Sequence, residues 1–589
     1  MKNITGVVCL AAVALALIVV PRGLTASRAE DASARWNALA DAFFDEAVFK
    51  FHPTYGTLLG LHQYDAEPED YSRAGVEKEI AALRAFEKRV EAFDPKGLDE
   101  TETADREIVL ANIRGTLLNL ETIRPWEKNP DNYSGGITNS VYTIMSRRFA
   151  PPDDRLRSVV AQEKQAPEVF AAARENLKNP PRVSTEIALE QLPGIISFFQ
   201  KDVPAAFHDA TDPAVKAEFA KSNAAVIAAL QSYQEWLKSD LLPRSKGDFR
   251  IGAETFAKKL HHDDMVDIPL DRLLEIGWAD LHKNQAEFNR IAKELEPQKT
   301  AKETLAELAL DHPAPDQLLQ SFRDKFDGLV AFIGAKHIIT IPSDVRPTVQ
   351  ETPPFMRATT FASMDTPGPF EKVAKEAYFN VTLPDAHDTP EQVAGFMAEF
   401  NVGTIVTTAV HEAYPGHYIQ FLWAPQFPTK VRKILGANTN IEGWAHYCEQ
   451  MMLDEGYGQP GAGAKDEREA KLIRLGQLQD ALLRDARFVV GIQLHTGNMT
   501  FDQAVDLFVN EGYQSREAGL VETKRGTSDP TYLYYTLGKL EILKLRADMQ
   551  RKEGAAFSLE KFHNGFMRQG PAPIKIVRKA MLGEDSPAL

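Results

Sequence analysis

The sequence predicts a mainly α protein, one compact helical body of two lobes with a few short strands. Three observations predict it. Apolar residues recur with the helical period over many long segments, stretches of strand character are few, and 589 residues exceed what one simple core usually supports. Helical periodicity covers 32–49, 76–93, 103–123, 214–237, 270–295, 316–333 and 472–490. The clearest strand signal is His337-Ile338-Ile339-Thr340-Ile341, stopped by Pro342. Residues 342–390, rich in Pro, Thr and small side chains, read as irregular with one or two short strands, 377–382 among them. A Gly-rich loop, 456–464, separates two helical stretches. Repeats, low-complexity tracts and flexible Gly/Ser linkers are absent. A helical N-terminal half, 30–245, therefore packs against a C-terminal half, 246–589, that carries the chemistry; the boundary falls near Pro243-Arg244-Ser245-Lys246-Gly247.

Residues 1–29 stand outside this body. Lys2 precedes an apolar run over 4–20, then Pro21 and the small-residue stretch Ser27-Arg28-Ala29, which reads as a cleaved signal peptide. Cleavage removes Lys2, Arg22, Arg28 and Cys9 and no acid. The mature chain is then more acidic than the formal −16 of the whole, and Cys448 alone cannot form an internal disulfide. A periplasmic or secreted protein, without stable membrane insertion after cleavage, is expected. The acidic balance argues against nucleic acid and anionic membrane surfaces as partners.

The chemistry concentrates in His411-Glu412-Ala413-Tyr414-Pro415-Gly416-His417. In the zinc-protease helix motif two histidines four apart, about 400° around the helix, face one metal. Here the spacing is six, which leaves the rings about 120° apart on a regular helix. Either the helix breaks locally, as Pro415 and Gly416 would permit, or this is no metal site. A zinc hydrolase needs three protein ligands, a water and a base. His411 and His417 can supply two ligands, with Glu412 beside them to hold the water. Glu442, in Glu442-Gly443-Trp444-Ala445-His446-Tyr447-Cys448-Glu449, is the candidate third, in the first turn of a returning helix that Asn438-Thr439-Asn440 could cap. Gly443 keeps that helix slim where another approaches. His446 and Glu449 are supporting candidates on the same helix. With 14 His in the chain, one His-Glu pair is expected by chance, so spacing alone does not decide.

Over about 245–585 the sequence resembles the bacterial domain-of-unknown-function family numbered 885, a zincin-like group. The resemblance rests on 411–417 with Tyr418-Ile419-Gln420, Glu442-Gly443-Trp444-Ala445 with Tyr447 and Glu449, Arg487-Phe488-Val489-Val490 with His495, then Tyr535, Gly538, Arg546, Phe562-His563 and Gly570. It implies a metallopeptidase of the gluzincin kind, with Zn2+ held by His411, His417 and Glu442 and Glu412 as base. A helical body enclosing a cleft would follow, like that of neurolysin-type and angiotensin-converting oligopeptidases. The Pro-Gly insertion is shared, so the helix should deform at 414–416 and return His417 to His411. Gly491 and His446 depart from the family pattern.

Oxyanion stabilisation needs a further donor. Tyr535 is the first choice; Tyr532, three residues earlier on the same face, is a substrate-contact candidate, and either could instead be core. His495 could serve the reaction or cap a helix, and Arg546 could bind a substrate carboxylate or lie on a solvated face. His261-His262-Asp263-Asp264 sits in a turn where adjacent rings diverge. His282, His312, His387 and His563 are isolated, and Cys448 reads as a small hydrophobe. The expected activity is zinc-dependent hydrolysis of short peptides. A zinc amidase or esterase, or a non-catalytic helical binding protein, are the alternatives. Oligomeric state and exo- against endopeptidase mode are not encoded legibly.

Overall fold

The computed structural model describes residues 22–357, 360–385 and 387–589, so the apolar run of the expected signal peptide, Cys9 included, lies outside the described residues. Helices dominate, and each periodic segment becomes one. Segment 270–295 is the helix Leu270–Leu295, and 472–490 grows into Glu467–His495, whose first turn is capped by Asp466. Segments 32–49, 103–123 and 214–237 each end in a π-helical turn, Phe44–Val48, Asn119–Ile123 and Leu237–Leu241.

A three-stranded sheet is the main β element. β1 (Thr348–Glu351) runs parallel to the central β3 (Tyr378–Val381), and β2 (Ala362–Asp365) pairs antiparallel on its other side, with Met364 and Val349 both opposite Phe379. β3 is the strand expected at 377–382. The strand expected at 337–341 does not form. His337 takes a left-handed φ of 50° and the Ile338 amide closes back on the Ile333 carbonyl at 3.1 Å, which ends the helix Leu318–Ala335. The apolar run serves that helix end, with Ile338 and Ile339 buried, rather than a ladder.

The cores do not follow chain order. One cluster joins Trp36, Phe43 and Ile113 to Phe322, Tyr414, Trp444 and Phe566. A second gathers Tyr133, Phe170, Leu192, Phe198 and Leu230. Around the candidate site two glycine pairs let helices touch backbone to backbone. A Cβ on Gly403 would lie 2.8 Å from Gly476 Cα, and one on Gly443 would lie 2.5 Å from Gly538 Cα. The first pair joins the motif helix Val402–Glu412 to Glu467–His495, and the second joins Asn438–Asp454 to Tyr534–Glu553. Four chain segments are thus locked at fixed depth before any side chain of the site is placed. No single helix among the described residues is long and apolar enough to cross a membrane.

Candidate metal centre

The motif helix starts where the Asn401 side chain accepts the amides of Gly403 and Thr404, and ends at Glu412. The chain then leaves helical geometry and re-enters it at His417, the first residue of His417–Leu422. The Gly416 amide donates back to the Val410 carbonyl at 3.0 Å. A Cβ on Gly416 would fall 1.8 Å from the His411 carbonyl oxygen, so no other residue type fits this fold-back. The Trp444 indole N–H donates to the Pro415 carbonyl at 3.0 Å and pins the break to the neighbouring helix. The deformation that the six-residue spacing demanded is present: the His411 and His417 ring centroids lie 4.8 Å apart, perpendicular.

Glu442 meets them. Its Oε2 stands 3.5 Å from His411 Nε2 and 3.3 Å from His417 Nε2, and one ligand atom from each residue lies within 4.8 Å of the other two. These contacts are longer than charge-assisted hydrogen bonds, about 2.7–2.9 Å, and Glu442 Oε2 is buried without a hydrogen bond among the described residues. An orphaned carboxylate oxygen between two imidazoles fits a small cation. With metal–ligand bonds of about 2.0–2.2 Å, tetrahedral neighbours are about 3.3–3.6 Å apart and octahedral cis neighbours about 2.8–3.1 Å, so the spacing suits the tetrahedron. Glu442 lies one turn deeper than expected, because the helix begins at Asn438. The helix start is held from outside: Asp264 accepts the Thr439 amide at 2.8 Å and its hydroxyl at 2.9 Å.

Around these three residues lies a buried charge cluster. His411 Nδ1–H donates to Glu449 Oε1 at 2.7 Å, which leaves Nε2 to face the centre. Glu449 also pairs with Arg484 Nη2 at 3.1 Å and His446 Nδ1 at 3.1 Å. Burial pushes the Glu449 carboxyl up, but the charges of Arg484 and His446 with the histidine hydrogen bonds outweigh it and hold the group well below the carboxylate range. Asp480, one turn before Arg484, goes the other way: burial outweighs Arg484 and raises it to about 6.

These residues open on a cavity of about 690 Å³ whose wall includes His411, Glu412, His417, Glu442, Arg484, Arg525 and Tyr535, with Ala362, Ser363 and Met364 contributing from β2 and Ile187 and Glu190 from the N-terminal half. Glu412 makes no side-chain hydrogen bond to another described residue and so keeps its oxygens for whatever enters. The Tyr535 ring stacks 6.3 Å from that of His411, and its hydroxyl accepts from Arg525 Nη2 at 3.0 Å. Accepting there leaves its own proton free to donate, and burial raises its pKa.

Three expected residues are elsewhere. Tyr532 is fully buried with its hydroxyl unpaired, packed on Gly491 and Gly526, so it is core and no substrate contact. Gly491 itself leaves room for that ring, since a Cβ there would sit 3.1 Å from Tyr532 Cδ1 and 2.9 Å from the Pro530 carbonyl oxygen. His495 is buried beside Phe249 and bonds the Gly526 carbonyl at 2.7 Å; it fastens a helix end away from the cavity. Arg546 is spent on Glu455 at 2.7 Å and the Tyr447 hydroxyl at 3.2 Å, so it neither binds a substrate carboxylate nor lies free on a solvated face. His261 pairs with Asp267, outside the centre. Sequence reasoning missed Arg484 and Arg525. Arg484 carries a signal, a charge four residues after Asp480 and three before Arg487 in the largely buried C-terminal half of its helix; Arg525 carries none.

A family model described as "Bacterial protein of unknown function (DUF885)" matches residues 53–581, so the likeness extends through the N-terminal half and beyond the stretch over which motifs are visible. Two solved structures, each described as a "putative lipoprotein", are similar over nearly their whole length. The one from Shewanella oneidensis, of unknown function, is 28% identical with a TM-score of 0.74, covering 93% of this chain and 99% of that one. The one from Colwellia psychrerythraea is 18% identical with a TM-score of 0.76, covering 95% and 99%, and shows the fold alone. Among curated proteins none matches the chain.

Proposed function

The chain belongs to the DUF885 family of bacterial proteins of unknown function, and from that premise we propose that it is a zinc-dependent hydrolase cleaving short peptides. One observation carries the reading: His411, His417 and Glu442 converge, with Glu442 Oε2 at tetrahedral spacing from both imidazoles, only because the helix is broken between the two histidines. Two imidazoles and a carboxylate, with a cavity on the open side, are the donor set of a catalytic zinc rather than a closed structural one. Bound there, the ion would supply a Lewis acid that brings the pKa of a water to about 7.

The chain's own residues supply the rest. Glu412 takes a proton from the water as the new C–O bond forms at the scissile carbonyl. It passes that proton to the amide nitrogen as the C–N bond breaks. Tyr535 donates its hydroxyl to the oxyanion, oriented by Arg525. Glu449 fixes the His411 tautomer. The cavity volume lies within the roughly 300–1,000 Å³ of small-ligand sites, which favours short peptides over folded chains. Export is supported by the apolar run at 4–20 and by the likeness to the Shewanella protein.

Glu412→Gln tests the reading. The variant should keep its metal and lose peptide cleavage by about 10²–10⁴ in kcat. Undiminished cleavage in Glu412→Gln would overturn it.

A further inference from the structure

The cavity wall carries four cations, and three are already neutralised. Arg487 is held by Glu522 through two bonds of 2.6 and 2.7 Å, Arg484 by Glu449 at 3.1 Å, and Lys524 by Glu190 at 2.7 and 2.8 Å. Arg525 differs. Its Nη2 reaches Tyr535 Oη at 3.0 Å, Tyr534 Oη at 3.5 Å and Asp529 at 3.4 Å. Its Nη1 and Nε make no hydrogen bond among the described residues, and the side chain is 26% exposed. Asp529 is itself engaged by the Tyr534 hydroxyl at 2.7 Å, which weakens its hold on the guanidinium. A partly exposed guanidinium with Nη1 and Nε unengaged, on the wall of a reaction cavity, can take a carboxylate through a charge-assisted hydrogen bond.

Position narrows the ligand. Tyr535 spans the gap: its ring lies against His411 and its hydroxyl touches Arg525. With the two rings 6.3 Å apart and Arg525 Nη2 3.0 Å from the hydroxyl, Arg525 lies within about 12 Å of the His411 ring, a span that the bound ion and the substrate carboxylate themselves partly fill. A peptide advances about 3.3–3.6 Å per extended residue, so a carbonyl at the centre and a carboxylate at Arg525 are separated by one or two residues. We infer that Arg525 seats the free C-terminal carboxylate of the substrate, so that the protein removes one or two residues from the C-terminal end of peptides. This rests on the hydrolase reading above and selects exopeptidase mode within it.

Matched peptides ending in a free acid or in an amide separate the two ideas. With the zinc-loaded protein, the acid should be cleaved at least about tenfold better in kcat/KM, the range expected for a charge-assisted hydrogen bond, and mass spectrometry should show single residues or dipeptides leaving the C-terminus. Arg525→Gln should collapse the acid-to-amide ratio to about twofold, and Arg525→Lys should keep part of it. The ratio is the readout, because a loss of Tyr535 orientation would slow both peptides alike. Cleavage without acid preference, or an unchanged ratio in Arg525→Gln, overturns the inference and leaves the hydrolase reading standing. Binding of the same peptides to the zinc-loaded Glu412→Gln protein gives the converse. An acid preference of about tenfold there, lost in the Arg525→Gln double variant, supports the carboxylate seat even if the parent protein cleaves neither peptide; equal binding overturns it.

Discussion

Glu449 is fully buried, yet both of its oxygens are engaged, by His411, His446 and Arg484. Its charge keeps the His411 Nδ1 proton in place and raises the basicity of Nε2. Glu449→Gln should lower metal affinity by about 10–100-fold, measured by competition with a chromogenic chelator, and unchanged affinity would show that this partner is dispensable. A second buried acid, remote from the centre, makes stability depend on pH. Burial raises Glu163 to about 7, against the opposing hydrogen bonds from Ser222 at 2.5 Å and Asn223 at 3.0 Å. Its folded value lies above the ordinary glutamate value of about 4.3, so its protonated form favours folding. That contribution is complete below about pH 4.3, falls as pH rises toward 7 and is gone above it, at a cost of about 3–4 kcal/mol. Glu163→Gln should therefore raise Tm relative to the parent at pH 8, with the gain shrinking toward zero near pH 4.5. A Tm difference that does not change with pH would remove the carboxylate as its source.

The break between the two helices of the motif is the element on which the centre depends. Gly416→Ala places a methyl 1.8 Å from a backbone oxygen, so the fold-back must open and His417 must leave Glu442. Metal content should fall to background in that variant, while circular dichroism stays helical because the clash lies at a helix end. Gly443→Ala sets a methyl 2.5 Å from Gly538 and should cost about 1–3 kcal/mol or more, read as a lowered denaturation midpoint. The break was legible in the sequence, because two histidines six apart can meet only if Tyr414-Pro415-Gly416 interrupts the helix. So was Gly443, since only glycine allows backbone contact at a crossing. Spacing could not show which helix faces which. Tyr532 and Tyr535 share a face by periodicity, yet one enters the core and the other the cavity wall. His495 and Arg546 carry reactive groups that neighbours elsewhere had already claimed. Arg525 gained its place only when its helix, Arg516–Ser528, packed beside the tyrosines.

Across the whole molecule the centre sits where two parts of the chain meet. The cavity has walls from Ser184, Ile187 and Glu190 as well as from the motif helices, and Lys524 bridges to Glu190 across it. The surrounding cores do not need the metal: Trp444, Tyr447 and Met451 pack in the main cluster, and the glycine crossings hold the helices at fixed depth. Chelation should therefore abolish activity and lower Tm in proportion to metal affinity, while the helical signal at room temperature is unchanged. Loss of helix on chelation would mean that the ion organises the fold. The most direct measurement is metal stoichiometry joined to coordination. Elemental analysis and X-ray absorption of the purified protein should give one zinc per chain, with two imidazole nitrogens and one carboxylate oxygen at about 2.0–2.2 Å, and none in His411→Ala. A protein purified and reconstituted without stoichiometric zinc, or one that retains it fully in His411→Ala, would contradict the assignment of His411, His417 and Glu442 as its ligands.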